Sequence, residues 1–437
     1  MSHASPQTLK RDIGLGGAIL LGLGSIVGTG VFVSIGIAAG VVGPAVVLAT
    51  ALAGCLAACN ALSSAQLAAA HPVAGGTYEY GYRLLNPTLG FSAGWYFLCA
   101  KSASAGTAAA AAAIYILQAL GIEHPVARPA LAIALGLGIT ALVIAGIRRS
   151  NQANTAIVGI TLASLLILVV VAIPTARERA AENFTNFIQP NVNMDLIGMP
   201  ICLLQAVALM FVAYTGYGRI ATLGEEVHEP RRTIPRAIIA TLGVTTVLYI
   251  TVAFIGVAVL SAWGLWDSVL RGRGPLHDVA AAVAGPWLGW VIGLGAVTAM
   301  LGVLLNLILG LSRVVLAMGR RGDLPARFAQ LNAAGTSPTA AVLLVGIVVT
   351  GIAAWGDLRL AWTFSAFTVL IYYGLTNLCA LRLPPEHRLY PRVFAVIGLL
   401  GCFLLAWFVP WQVWLVGLGI LALGHILRRL LRPPTAA

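Results

Sequence analysis

Long apolar runs constrain this chain more than any other feature of its sequence. Twelve runs approach or exceed the roughly 20 residues that a helix needs to cross about 30 Å of hydrocarbon. They lie near residues 13–38, 44–70, 90–119, 127–146, 154–174, 195–223, 235–261, 284–316, 339–355, 359–381, 393–408 and 411–429. Only 9% of the 437 residues are charged, whereas soluble domains usually carry about a quarter. The sequence therefore predicts an all-α polytopic membrane protein with about 12 transmembrane helices, numbered 1 to 12 below.

The placement of the basic residues predicts how these helices are oriented. The formal net charge is +12, which could indicate a nucleic-acid partner, but its distribution argues against one. If the N-terminus is inside, nineteen of the 26 Lys and Arg residues fall on the inner side and six on the outer side. That bias follows the positive-inside rule. We expect no nucleic-acid partner, the lipid bilayer as the surroundings, and a multi-pass plasma (inner) membrane protein with cytoplasmic N- and C-termini.

Two predicted helices contain runs of small or flexible residues near mid-membrane. Helix 1 contains GLGSIVGTG from residue 22, and helix 6 contains AYTGYG from residue 213. The two helices face opposite ways across the membrane and begin successive sets of five helices. Interrupted segments at matching positions of two halves indicate the binding site of a transporter, whereas small residues alone also allow close helix packing. Their joint occurrence favours interrupted helices.

Four motifs distinguish the chain further. They are GSIVGTGVF from residue 24, PVAGGTYEYGYRLLNP from residue 72, FVAYTGYGRIATLGEEVHEPRRTIPRAI from residue 211 and SRVVLAMGRRGDLP from residue 312. In this order and spacing they resemble the amino acid–polyamine–organocation (APC) superfamily of permeases. The resemblance implies a LeuT-type 5+5 inverted repeat plus two extra helices in one transporter domain, residues 1–437. The repeats would span 13–174 and 195–381, and the additional helices 393–429.

The resemblance also implies that helices 1 and 6 hold an amino acid. A broken helix offers N–H groups to a carboxylate and C=O groups to an ammonium, so a zwitterion needs no charged side chain. We expect the carboxylate on amides of Gly28, Thr29 and Gly30. We expect the ammonium near the carbonyls of Ile26, Val212, Ala213 and Thr215, with Gly216 in the same unwound stretch. Three aromatic residues would line or gate the pocket, or simply pack: Phe211, Tyr214 and Tyr217.

A charged run follows helix 6 on the inner side. Glu225, Glu226 and Arg231 could form an inner gate by pairing with Glu79 and Arg83 of the loop between helices 2 and 3. The alternative is a solvated loop that obeys the positive-inside rule. Exposed pairs contribute only about 0–1 kcal/mol each, so such a gate would bias a transport cycle without locking it.

Lys101 is the charged residue that the sequence places deepest in the membrane. It lies eleven residues past Gly90, roughly 16 Å along helix 3 and therefore near the midplane. An ammonium there is costly, by roughly 3 kcal/mol on insertion scales. One interpretation is a structural lysine capped by carbonyls of a broken helix, and another is a coupling site that loads and releases a proton. The lysine could also stand in for a sodium ion or pair with an acidic substrate side chain.

The coupling ion stays open between a proton and sodium. Some proton-coupled members of the superfamily carry a lysine in helix 5, where this chain has Thr161, and helix 6 has Gly218 where an Asp is usual. Asn306 and Ser312 of helix 8 could supply oxygen ligands to sodium.

These observations predict a secondary active transporter, or permease, of amino acids that works by symport or antiport. An amino-acid exchanger and a substrate sensor on the same fold remain alternatives. Membrane enzymes usually need clustered His, Asp or Glu, and channels need a polar ring, and the sequence shows neither. The six cysteines all lie within apolar runs without zinc-like spacing, so we expect no metal and no cofactor.

Overall fold

The computed structural model describes residues 13–72, 75–122, 124, 126–145, 151–185, 187, 198–221, 227–332 and 337–431. Within these ranges the regular secondary structure is helical, apart from one isolated bridge between Ile13 and Val227. The α-helices are α1 (Leu15–Ile26), α2 (Ile35–Val42), α3 (Val46–Ala70), α4 (Thr77–Leu84), α5 (Pro87–Ala119), α6 (Ala127–Ile144), α7 (Asn151–Asn183), α8 (Met199–Tyr214), α9 (Gly218–Ala221), α10 (Pro230–Leu270), α11 (Pro275–Ala284), α12 (Pro286–Arg320), α13 (Thr339–Trp355), α14 (Leu358–Leu381), α15 (Arg392–Trp407) and α16 (Trp411–Leu431).

The helices that could cross a membrane agree with the predicted number. Among the described residues, nine stretches are long and apolar enough to span, and the first of them, Leu15–Ala70, contains both predicted helices 1 and 2. Two shorter apolar helices, α13 and α15, complete a set of twelve. The chain is an all-α polytopic membrane protein, as the sequence predicts.

Helices from the two predicted repeats interleave instead of forming separate bundles. Helix α5, at the centre, packs against α12 and α14, while α10 packs against α1 and α3, and α7 packs against α12. Alanine fills much of α5, and eight of its alanines between residues 103 and 113 are buried. Small side chains let neighbouring helices approach closely, and α5 also contacts α6 and α13.

Several helices depart from the predicted boundaries. Helix α7 continues through Pro174 to Asn183, because the charged residues after Pro174 end the apolar run without ending the helix. Helix α10 breaks at Ser261, whose φ of 66° and ψ of 163° are non-helical, at the residue where the predicted span ends. Two short helices outside the predicted spans, α4 and α11, follow glycines and lie in the connections.

Candidate functional site

The first predicted helix is interrupted between α1 and α2. Helix α1 ends at Ile26, Val27 is extended with φ −75° and ψ 105°, and a π-helical turn covers Gly30–Ser34 before α2 begins. The amides of Val31 and Phe32 both donate to the carbonyl of Gly28. We call residues 27–34 the first break.

The sixth predicted helix is interrupted more mildly. Helix α8 ends at Tyr214, a 3-10 turn covers Thr215–Tyr217, and α9 continues from Gly218. The hydroxyl of Thr215 donates to the carbonyl of Val212 at 2.7 Å, which caps the end of α8. We call residues 215–217 the second break.

Glycines let the two breaks touch each other. A Cβ atom at Gly30 would lie 2.6 Å from the Cβ and 2.8 Å from the Cα of Ala213, and a Cβ at Gly216 would collide with the carbonyl of Ser25. A Cβ at Gly28 would lie 2.7 Å from a methyl of Val303 in α12. These positions therefore need glycine for helix contact, before any substrate is considered.

Both breaks line one cavity of about 90 Å³, called the central cavity here. Of the residues proposed for substrate binding, all but Gly28 line it, and Phe97, Trp362 and Asn306 contribute further walls. The hydroxyl of Thr29 is buried and has no hydrogen-bond partner among the described residues. The charged residues that line the central cavity are Lys101 and Arg313, and no Asp or Glu in the described part of the chain lines it.

The carbonyls that the sequence assigns to the substrate ammonium already accept internal hydrogen bonds. Tyr249 of α10 is fully buried, and its hydroxyl donates to the carbonyl of Ile26 at 2.8 Å. The same hydroxyl lies 3.4 Å from the carbonyl oxygen of Ala213. The hydroxyl of Tyr373 in α14 donates to the carbonyl of Thr215 at 3.1 Å. A carbonyl has two lone pairs and can accept two donors, and at Thr215 the second donor is Lys101.

Lys101 reaches the second break from α5. Its side chain is 6% exposed, and its Nζ lies 2.7 Å from the hydroxyl and 3.3 Å from the carbonyl oxygen of Thr215. The lysine is buried between helices, and its depth in the membrane stays a prediction. Tyr249 and Tyr373 carry no motif that would have identified them as partners of the breaks.

The three aromatic residues proposed for the pocket wall are buried elsewhere. None of Phe211, Tyr214 and Tyr217 is among the residues that line the central cavity. Tyr214 donates to the carbonyl of Thr50 at 3.0 Å, and the rings of Phe211 and Tyr217 pack on Tyr373. Their contacts are those of packing residues around the second break.

The predicted inner-gate residues lie in different surroundings. Glu79 of α4 pairs with Arg321, which follows α12, at 2.5 Å, while Arg83 and Arg231 are exposed. Glu225 and Glu226 lie outside the described residues.

A buried ion pair, not identified from the sequence, lies beside Glu79. Asp323 is 0% exposed, and Arg428 of α16, 9% exposed in its side chain, donates to it at 2.8 Å. The hydroxyl of Tyr78 donates to Asp323 at 2.8 Å, and that of Tyr82 also donates to it. The guanidinium of Arg321 lies 4.1 Å from the Tyr82 ring centroid. We call Tyr78, Tyr82, Asp323 and Arg428, with the neighbouring Glu79–Arg321 pair, the inner cluster.

The residues considered for the coupling ion lie along α7 and α12. Thr161 donates to the carbonyl of Ile157 at 2.9 Å and lies 3.4 Å from that of Gly295. The amide of Asn306 lies 3.5 Å from the carbonyl of Gly24 and 3.4 Å from the hydroxyl of Ser25, and Ser312 donates to the carbonyl of Leu309. In the described ranges no three His, Cys, Asp or Glu residues group as metal ligands.

Comparison with known proteins gives a consistent result. The family described as "Amino acid permease" matches residues 13–422. An uncharacterized transporter of Mycobacterium tuberculosis is 39% identical over 419 residues, which cover 96% of this chain and 91% of that protein. A branched-chain amino acid permease of Bacillus subtilis is 28% identical, covering 78% of this chain and 74% of its own length. A methylthioribose transporter of Bacillus subtilis is also 28% identical, covering 97% and 94%.

Proposed function

The chain belongs to the amino acid permease family, and from that premise we propose that it is a secondary active amino-acid transporter that works by alternating access. It is a multi-pass membrane transporter and not an enzyme. The observation that carries the proposal is that two interrupted helices meet at one buried cavity. Interrupted helices at such a cavity are the usual means by which transporters hold a charged solute.

The proposed substrate is a neutral or acidic amino acid. Lys101 and Arg313 supply positive charge to the central cavity, and its described lining has no carboxylate. A cationic side chain would need such a partner in a low-dielectric pocket. The relatives' names include both a branched-chain amino acid permease and cationic amino acid transporters, so the proposal rests on the charges of the cavity.

We propose that the zwitterion lies between the two breaks. The amides around Gly28, Thr29 and Gly30 would bind the carboxylate, and the buried hydroxyl of Thr29 would donate to it. The ammonium would bind the remaining lone pair of the Ile26 carbonyl, which Tyr249 already contacts, and would compete with Lys101 for the carbonyl of Thr215.

Uptake into proteoliposomes tests this proposal. We expect labelled alanine, leucine or glutamate to accumulate under an ion gradient, and excess lysine or arginine to compete poorly. Uptake of lysine or arginine that outcompetes all three would contradict the proposed specificity. Counterflow without net accumulation would favour the exchanger, and binding without either would favour the sensor.

A glycine pair tests whether transport needs the close contact between the two breaks. We expect Gly30→Val to abolish uptake, because its side chain would collide with Ala213. The control is Gly159→Val on α7, where a Cβ meets nothing within 4 Å. Equal uptake by the two variants would show that the first break has no role in transport.

We further propose that Lys101 couples transport to protons. Its amine contacts the second break directly, so a change in its charge would change the hydrogen bonds of Thr215. We expect Lys101→Met to keep measurable substrate binding but to lose the pH dependence of accumulation, with Ser104→Ala in the same cavity as control. A wild-type pH profile in Lys101→Met would identify the lysine as structural.

A further inference from the structure

A second cavity, larger than the central one, lies further along α5. Its volume is about 520 Å³, within the usual range of ligand pockets. On α5 its lining begins at Ala110, six residues beyond Ser104 of the central cavity and therefore about 9 Å along the helix axis. The charge bias of the sequence assigns this end of the protein to the outer side.

Three arginines line this cavity, which we call the arginine cavity. They come from separate elements, Arg128 from α6, Arg273 from the connection between α10 and α11, and Arg359 from α14. The sequence has only six basic residues on its predicted outer side, because positive charge there opposes correct insertion. Half of those residues therefore converge on one cavity.

Arg273 is neutralised by a neighbour within the protein. Its Nε lies 3.1 Å from Oδ2 of Asp278, although not in hydrogen-bond geometry. Burial alone would raise the pKa of Asp278, but hydrogen bonds with His277 and Ser268 and the charge of Arg273 hold the pKa below its usual range. Asp278 is therefore ionised at neutral pH and balances Arg273.

Arg128 and Arg359 have no carboxylate partner in the described part of the chain. Arg128 lies against Gly272 and donates to the carbonyl of Arg271 at 3.3 Å, and Arg359 lies 5.3 Å from the ring centroid of Trp266. Asp357 also lines the cavity, and its Oδ1 accepts the amide of Leu360 at 2.8 Å, but it forms no ion pair with either arginine among the described residues. In that part of the chain, two guanidinium groups thus line one cavity without an ion pair of their own.

We propose that the arginine cavity binds a small carboxylate through Arg128 and Arg359. Guanidinium groups match carboxylates in shape and hydrogen bonding, and Arg is weakly hydrated compared with Lys. Trp266, Leu270 and Tyr115 supply an apolar wall for the rest of the ligand. The carboxylate comes either from the transported amino acid, in which case this site rests on the proposed function, or from another small organic acid.

Binding to the purified protein tests this site independently of transport. The probes are isovalerate, which has a carboxylate but no ammonium, and leucinamide, which has the ammonium but no carboxylate. We expect isovalerate to change the fluorescence of Trp266, with the change lost in Trp266→Phe, and leucinamide to have no effect. We expect the double variant Arg128→Gln/Arg359→Gln to bind isovalerate about tenfold or more weakly, since two charge-assisted contacts are lost.

Arg271→Gln is the matched control for this experiment. Arg271 lies on the same side, is paired with Asp267 and does not line the cavity, so its variant should bind isovalerate like the wild type. Equal affinity of the double variant and the wild type, or no binding to the wild type, would overturn the proposal.

The KM for leucine uptake identifies the source of the carboxylate. If the double variant also raises the KM for leucine uptake, the transported amino acid occupies the cavity, whereas an unchanged KM indicates another acid. Isovalerate binding without any amino-acid uptake would contradict the proposed function and leave the arginine cavity intact.

Discussion

The inner cluster and the arginine cavity both gather charged side chains from distant parts of the chain, but they differ in how the charge is compensated. In the inner cluster, Asp323 and Arg428 are buried together, and tyrosine hydroxyls donate to the carboxylate. In the arginine cavity, two of three guanidinium groups have no carboxylate partner in the described residues, and about 520 Å³ stays open between the helices.

This difference separates the charges that stabilise the protein from those that are available to bind a ligand. A buried ion pair with all its hydrogen bonds ties elements to one another, here α4, α16 and the segment after α12. Charges without an ion-pair partner repel one another when they are brought together, so they do not tie elements to each other. The balanced charges of the inner cluster therefore stabilise contacts between helices, whereas the arginines of the arginine cavity leave positive charge available to a ligand.

Removing the buried carboxylate should have the largest effect on stability. We expect Asp323→Asn to destabilise the protein by about 3–5 kcal/mol, because Arg428 would then be buried without a counter-charge. The double variant Asp323→Asn/Arg428→Met should recover much of that loss. The unfolding midpoint of the purified protein in detergent measures both, and an unchanged midpoint in Asp323→Asn would contradict our account of the inner cluster.

Two tyrosines on the same short helix provide a smaller and better matched comparison. Tyr78 and Tyr80 of α4 are equally buried, but Tyr78 donates to Asp323 whereas the Tyr80 hydroxyl has no partner in the described residues. We expect Tyr78→Phe to cost about 1.5–3 kcal/mol, as for a hydrogen bond to a charged group. Tyr80→Phe should cost almost nothing in the same thermal measurement. Equal losses would mean that ring packing, not the hydrogen bond, matters here.

The partly exposed ion pair of the inner cluster, Glu79 with Arg321, should contribute less to stability than the buried pair. Glu79 and Arg321 retain 14% and 36% exposure of their side chains, so water and salt screen their attraction. We expect Glu79→Gln to lower stability by about 0–1 kcal/mol, and the difference from wild type to shrink in high salt. A loss as large as that of Asp323→Asn would show that the pair behaves as a buried one.

The smallest effect is expected in the arginine cavity. Arg359 is exposed and its contact is with the ring of Trp266, so Arg359→Gln should change stability by no more than about 0.5 kcal/mol. Its thermal midpoint should therefore match that of the wild type. A loss comparable to that of Tyr78→Phe would give the cavity a structural role and weaken the contrast between the two ends.

The sequence predicts the features of this fold that depend on local composition. Apolar length gives twelve spanning helices, and the glycine runs give both interruptions, because each is encoded within one helix. Lys101 is placed at the centre by counting residues. Its partner Thr215, 114 residues away, is not, because the sequence of one helix does not say which distant segment packs against it.

Contacts between distant segments could not be predicted. Glu79 contacts Arg321, although the charged run after helix 6 looked equally suitable, since charge alone does not select between basic segments. The arginines on the outer side were counted from the sequence, but their convergence depends on how three helix ends pack.

The ion pair between Asp323 and Arg428 also has a consequence for how the protein is made. The two residues are separated by 105 positions, so the ribosome adds the second one roughly 5–20 s after the first at ordinary elongation rates. During that interval α16 does not yet exist, whereas the tyrosines that donate to the carboxylate are already made. The ion pair between these two segments is therefore a late event of biogenesis, and a chain stopped before α16 would lack the counter-charge of Asp323.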